Sequence, residues 1–478
     1  MIELRPHQEE FIEDIRVALR KDRSVCAQAP TGFGKTVVAA FMAMATRNKG
    51  RNIIFTCHRQ ELIDQTSASF IECGIKHGFV AAGRPFDPDA SVKIASIQTL
   101  KNRVSKIKPP DLLVVDECHH CAAAGWAVVV NWARVGGARI IGLTATPWRL
   151  SGEGLAEHFG TMVLGPTVAW LIENRFLSDY RAFAPGAPVL DGVRKRAGDY
   201  VRSELESIMD DSAIMGDAVK HYLKHARGKK GLVFCVSVKH SENVASRFRA
   251  AGVSALHLDA KTPREERRRA VMAFADGHVD ILSNVELFGE GFDLSSLAGA
   301  EVPIECVSLL RPTMSLSLYL QQVGRALRPK GHPAIILDHA GNIMKHGFTD
   351  DAREWTLAGR PPGKTPAKSF KQCPYCYFCH NPATICPECG HIYEIESRVV
   401  DEVDGELGEI DVAARRRHRM IEQGGARSIP ALIALGKERG YSHPQQWAAK
   451  VYTARLRGAR SSPAAARLIR IAAGLGGN

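Results

Sequence analysis

The chain has 478 residues, with 63 lysines and arginines against 51 aspartates and glutamates, a net charge of +12. Apolar residues make up 45% and charged residues 24%, proportions of an ordinary globular protein that exclude a mainly disordered chain, a collagen-like fibre and a membrane bundle. No run approaches the ~20 apolar residues of a spanning helix, the start at Met1–His7 lacks an apolar core so no secretory signal is expected, and a prior of about 150 residues per domain suggests about three domains.

In chain order, Ser24–Ala29 reads as a buried strand, followed by a glycine-containing turn and a helix from Lys35 to about Thr46. Asn52–Thr56, Val92–Ala95, Leu112–Val115 and Arg139–Leu143 read as further strands, with a helix starting near Gln60. Continuous apolar, β-branched runs separated by helices predict a parallel sheet covered on both faces. After the Pro/Gly-rich junction Ala184–Pro188 the pattern restarts, with strands at Gly231–Cys235, Ser254–Leu258, Asp280–Ser283, Glu305–Leu309 and Ala334–Leu337. Leu357–Ser369 reads as a linker, Asp401–Asp411 as an exposed acidic stretch, and the remainder as helical. The expected organisation is α/β: one parallel-sheet domain over 1–185, a second over 190–350, a cysteine module over 370–392 and a basic helical segment over 412–478.

Two features carry chemistry in the first domain. Ala29-Pro30-Thr31-Gly32-Phe33-Gly34-Lys35-Thr36 leaves a strand and opens a helix. Thr31, Gly32, Phe33 and Gly34 can wrap backbone N–H groups around phosphate oxygens at a positive helix end. Lys35 is then placed for the β- and γ-phosphates of a nucleotide and Thr36 for Mg²⁺. Ala29 stands where the general pattern has glycine. Asp116 and Glu117 follow the apolar run Leu112–Val115, at the strand end where α/β sheets bind ligands. Asp116 is expected to hold Mg²⁺, directly or through water, and Glu117 to orient and deprotonate the attacking water. The neighbouring Cys118-His119-His120-Cys121 is a poor metal site, because four consecutive residues do not converge on one tetrahedral ion.

Five of the twelve cysteines fall between Cys373 and Cys389, which fits a local metal site in a reducing compartment better than a disulfide framework. Cys373-x-x-Cys376 and Cys386-x-x-Cys389 have the spacing of a four-thiolate Zn²⁺ site. The alternatives are a register using Cys379, or a redox pair or free thiols. From Val412 to the end, thirteen basic residues face two acidic ones, a net +11 that leaves residues 1–411 at +1. Such asymmetry points to a polyanion such as nucleic acid, or to a solvated helical face or an acidic protein. Tyr441 and Trp447 read as either base-stacking groups or a small helical core.

The phosphate loop, Asp116-Glu117-Cys118-His119, Thr144-Ala145-Thr146-Pro147 and Gln321-Gln322-Val323-Gly324-Arg325-Ala326-Leu327-Arg328, as an ordered set, resemble superfamily 2 helicases of the DExH type over roughly residues 1–345. The resemblance implies two RecA-like domains with ATP between them. It makes Arg325 and Arg328 groups that face the γ-phosphate, Arg328 best matching the family's arginine finger, and Gln321 a nucleotide sensor. Arg5 and Gln8 fall in the segment that recognises adenine, and Gly291 and Asp293 close a motif V running from Asn284. Thr144 and Thr146 would couple hydrolysis to domain motion. Arg59, Gln98 and Thr99 would touch nucleic-acid phosphates. The cysteine module, the basic tail and the tail's Arg439-Gly440-Tyr441 with Trp447 resemble bacterial and phage RadD-type DNA repair helicases. The implied substrate is DNA, single-stranded, forked or duplex, with RNA the alternative and a single-strand-binding or repair protein a further partner. No membrane contact is expected, and the implied location is the cytoplasm of a bacterial or phage-infected cell, at the nucleoid.

Overall fold

The computed structural model describes residues 3–121, 124–148, 152–184, 190, 193–196, 199–209, 212–288, 294–359, 371–372, 379–380, 384–385, 390–392, 408–410, 412–441 and 443–458. The expected apolar runs become strands, shifted by about a residue at their ends, and short strands that the sequence did not signal join them. In lobe 1 these are β1 (Ser24–Gln28), β2 (Ile53–Cys57), β3 (Gly78–Val80), β4 (Val92–Ser96), β5 (Leu112–Asp116), β6 (Arg139–Thr144) and β7 (Thr161–Leu164). They form one sheet in the order β3-β4-β2-β5-β6-β1-β7, every pairing parallel. The inner strands β2 and β4 are buried at every position, which explains their continuous rather than alternating apolar pattern. Ile54, Leu113, Val115 and Ile140 pack against Trp126, Val129 and Val130 of the helix Ala124–Val135. Each such side chain contributes about 1.5–3 kcal/mol by leaving water. The helix Pro6–Lys21 seats itself through Phe11, Ile12 and Ile15, at helical spacing.

Lobe 2 contains β8 (Tyr180–Ala184), a short hairpin of β9 (Lys195–Arg196) and β10 (Asp199–Tyr200), then β11 (Gly231–Phe234), β12 (Ala255–Leu258), β13 (Ile281–Asn284), β14 (Cys306–Leu309) and β15 (Ala334–Asp338). Its parallel strands run β12-β13-β11-β14-β15-β8. Because β8 pairs with β15, Tyr180–Ala184 belongs to the second sheet, and the first domain does not extend to residue 185 as the composition shift suggests. The chain changes sheet before the Pro/Gly junction, between β7 and β8. Beyond β8 the sheet continues through β18 (Gly408–Ile410), β17 (Cys379–His380) and β16 (Lys371–Gln372).

After lobe 2 the chain returns to lobe 1. The Trp148 indole donates to the Thr356 carbonyl at 2.9 Å, and the Leu155 and Ala156 amides donate to the Leu357 carbonyl at 2.8 and 3.0 Å. The Leu357 side chain packs on the lobe 1 core. Residues 357–359 are therefore a docked strap where a free linker was expected; the rest of that linker lies outside the described residues.

The C-terminal unit has helices Val412–Gly425, Ile429–Glu438 and Pro444–Gly458. Leu432 and Ala448 are among its fully buried side chains. Tyr441 and Trp447 meet edge to face at 4.8 Å, with the Arg439 guanidinium 5.9 Å from the Trp447 ring centre, and both side chains are half-buried. No described helix is long and apolar enough to cross a membrane.

Candidate nucleotide site and inter-lobe cleft

All lobe 1 strands end on one edge, and the chemistry gathers there. After β1 the chain turns through Gly32 (φ 85°) and Gly34 (φ 92°) into the helix Lys35–Arg47. Gly34 is required twice: its backbone is left-handed, and a Cβ there would stand 2.6 Å from the Gln8 amide nitrogen. That amide donates to the Phe33 carbonyl at 2.9 Å, while the Arg5 backbone N–H donates to the Gln8 Oε1 at 3.0 Å. Gln8 thus reports on the shape of the loop directly. Phe33 is buried between His7 and Phe11, and the Arg5 guanidinium lies 5.5 Å from the Phe176 ring centre. Burial and the Arg5 charge push the His7 pKa down to about 4, so this ring is neutral at physiological pH. The Lys35 ammonium donates back to the Ala29 and Pro30 carbonyls at 3.0 and 3.4 Å, while Thr31, Lys35 and Thr36 all remain partly exposed.

Asp116 closes β5. Burial and the adjacent Glu117 carboxylate raise its pKa far above the usual carboxylate range, with Lys35 and His58 pulling the other way. Glu117 is nearly buried and takes a left-handed backbone, φ 47°, a strain that non-glycine residues bear chiefly at functional sites. A polar chain starts from it. Glu117 Oε2 lies 3.3 Å from His119 Nδ1, and His119 Nδ1 lies 3.1 Å from the Thr144 hydroxyl. Thr144 donates to the Thr146 carbonyl at 2.9 Å, and Thr146 donates to Ser317 of lobe 2 at 2.7 Å. Thr144 and Thr146 were legible; His119 and Ser317 were not, although the histidine directly after Asp-Glu-Cys was a usable signal. Cys118 and Cys121 lie in the lobe 1 core, Cys118 Sγ 3.8 Å from Cys26 Sγ.

Ser317 stands on the helix Leu316–Gly324, whose end abuts the phosphate loop. A Cβ on Gly324 would lie 2.6 Å from the Thr31 methyl carbon, so only glycine admits this approach. Gln321 is buried on that helix with neither amide atom hydrogen-bonded among the described residues, an arrangement that asks for a polar ligand. Arg325 and Arg328 follow directly and are partly exposed. Ser178 ties this end down, its amide donating to the Leu327 carbonyl at 2.8 Å and its hydroxyl to the Arg328 carbonyl at 2.9 Å. The adjacent Leu177 packs on Gly32. The structure thus brings together Gln8, Thr31–Thr36, Asp116, Glu117, Gln321 and the backbone of Arg325–Arg328. Gly291, Asp293, Cys373, Cys376, Cys386 and Cys389 lie outside the described residues.

On the other half of the strand edge, the Gln98 amide donates to the His58 carbonyl at 3.1 Å, and Arg59 donates across the cleft to the Glu286 carbonyl at 3.4 Å. Arg267 of lobe 2 pairs with Glu61 at 3.1 Å, and Arg264 with Asp64 at 3.0 Å.

Comparison with known proteins agrees with this architecture. Residues 1–149 match the family described as type III restriction enzyme, res subunit, and residues 215–330 the helicase conserved C-terminal domain. The chain is 34% identical over 377 residues to a 51.5 kDa protein of a Lactococcus phage (isolate 7-9), covering 78% of each. It is 26% identical over 347 residues to the putative ATP-dependent helicase IRC3 of Saccharomyces cerevisiae, covering 68% of this chain and about half, 49%, of the yeast protein. The solved ATP-dependent type ISP restriction-modification enzyme LlaBIII, bound to DNA, shares the fold with a TM-score of 0.53 at 15% identity, over 70% of this chain and 28% of that one. Two parallel-sheet lobes closing on a phosphate loop define a nucleic-acid-dependent ATPase. The chain belongs to the superfamily 2 helicases.

Proposed function

We propose that the protein is a DNA helicase or translocase that hydrolyses ATP to ADP and phosphate, acting in repair, recombination or phage replication. The carrying observation is the contact of Gly324 with Thr31, which sets the Gln321–Arg328 segment against the phosphate loop without any further closure. In this reading Lys35 neutralises the β- and γ-phosphates and Gln8 senses the adenine end beside Arg5. Glu117, held in its strained conformation, takes the proton of the attacking water. Arg325 and Arg328 stabilise charge building on the transferring phosphoryl group. The Thr36 hydroxyl and the Asp116 carboxylate are hard oxygen donors that suit Mg²⁺; bound there, the ion would offset phosphate charge. The chain from Glu117 through His119, Thr144 and Thr146 to Ser317 transmits the state of the γ-phosphate to lobe 2.

DNA is favoured because LlaBIII, of the same fold, is bound to DNA and because of the +11 tail. The RadD-type resemblance supports a repair role. Zn²⁺ is proposed at Cys373, Cys376, Cys386 and Cys389: Gln372 pairs with Cys379 around the first cysteine pair, and Ile385 bridges Ile392 around the second. Such thiolate pairs, each bracketed by antiparallel backbone, suit a tetrahedral ion. Location in the cytoplasm of a bacterial or phage-infected cell follows from the same reading.

The test is ATPase activity with single-stranded DNA, duplex DNA, forks and RNA, run beside strand separation. Stimulation by DNA with unwinding is expected; stimulation without strand separation makes it a remodeller, and stimulation by RNA alone rejects the DNA reading.

A further inference from the structure

Asp64 lies on the helix Gln60–Glu72, whose N-cap is Arg59. Five helical steps separate the two, about 7–8 Å along the axis. Two guanidinium groups converge on this single carboxylate, one from each lobe. Arg84, from the loop after β3, bonds Oδ1; Arg264, the first residue of the helix Arg264–Ala275, bonds Oδ2 at 3.0 Å.

The pair resembles a phosphate seat more than a structural bridge. Two arginines on one anionic group, each donor to a different oxygen, is the geometry by which guanidinium recognises phosphate as well as carboxylate. The seat is open on the lobe 2 side: 75% of the Arg264 side chain is exposed, against 33% of Arg84 and 27% of Asp64. Arg84 is steadied against the Phe79 ring, 5.3 Å from its centre. The neighbouring Arg267 behaves otherwise. It is 9% exposed and donates to the Asp259, Ala260 and Thr262 carbonyls as well as to Glu61, so it is locked into lobe 2. The Arg264 half of the pair is largely exposed, where an ion pair contributes little, and counterion release favours a nucleic-acid phosphate on such arginines.

We propose that Arg84 and Arg264 form a split seat for one phosphate of the nucleic-acid backbone, and that Asp64 occupies it while no strand is bound. The Asp64 carboxylate that fills the seat stands on the helix capped by Arg59, so the seat adjoins the Arg59 end of the cleft. Binding a phosphate there joins the two lobes through the nucleic acid instead of through Asp64, which helps make ATP hydrolysis depend on nucleic acid. The inference rests on the nucleic-acid reading above.

The experiment is titration of the full chain with a labelled single-stranded oligodeoxynucleotide and with RNA of the same sequence, over a range of salt, with a non-hydrolysable ATP analogue present. Arg84→Ala and Arg264→Ala should each weaken binding about five- to tenfold, and the double variant should lower the salt slope by roughly 0.7, the loss of one phosphate contact on a single strand. Asp64→Asn should tighten binding several-fold. Nucleotide affinity and melting temperature should stay at wild-type values in all of them. An unchanged salt slope in the double variant overturns the seat, as does an Asp64→Asn variant that binds as weakly as the arginine variants, the mark of a structural clasp. Absence of binding by the wild type to either strand defeats instead the nucleic-acid reading on which the seat depends.

Discussion

The two ends of the inter-lobe cleft are built from different materials. At the phosphate loop the lobes meet through uncharged contacts of short reach: Gly324 on Thr31 and Thr146 on Ser317. At the Arg59 end they meet through charge: Asp64 with Arg264 and Glu61 with Arg267. Neutral hydrogen bonds and glycine contacts are sensitive to tenths of an ångström and indifferent to salt. Partly exposed ion pairs are tolerant of distance and screened within about 8–10 Å at physiological salt. One end is therefore suited to reading the geometry of a small ligand, and the other is suited, on the proposed reading, to exchanging partners with a long charged one.

Substitutions at the uncharged end should be the most damaging. Lys35→Ala or Glu117→Gln should reduce hydrolysis by two to three orders of magnitude or more, with Glu117→Gln still binding ATP; wild-type turnover by either purified variant would remove the mechanism. Gly324→Val should come next, because its side chain must displace Thr31. A loss of about tenfold or more in kcat is expected without loss of folding, checked by melting temperature beside steady-state kinetics. Thr146→Val should cost less, several-fold in kcat with the KM for ATP nearly unchanged, since it interrupts the link to Ser317 rather than the nucleotide contacts. The smallest effect should come from Glu61→Gln at the charged end. Its partner Arg267 keeps three carbonyl acceptors, so DNA-stimulated turnover should change less than twofold. Outside the cleft, metal analysis should find about one zinc per chain, and its removal by chelation should leave the basal ATPase intact.

Much of this cleft was legible from the chain because its parts are local. The phosphate loop, Asp116-Glu117 and the Gln321–Arg328 segment each lie within a few residues, next to apolar runs long enough to read as strands. What escaped was either short or distant. β3 has three residues, too few to show a pattern, and β7, at the sheet edge, is buried at only one of its four positions. The allegiance of β8 depends on pairing with β15, about 150 residues away, which composition does not record. The same holds for the bonds that link the lobes: Thr146 with Ser317 is separated by 171 residues and Arg264 with Asp64 by 200. His119 was visible as a neighbour of Glu117, but its role appears only once β6 brings Thr144 alongside.

The strap at Thr356–Gly359 has a mechanical consequence. Lobe 2 is entered from lobe 1 after β7 and left again where Thr356 meets Trp148, two residues after the Thr146 that contacts Ser317. A body suspended from a single tether can swivel freely; one hung at two points swings chiefly about the line that joins them. Movement of one lobe against the other is thereby confined to a hinged swing, and the second attachment sits beside the Thr146 that bonds Ser317.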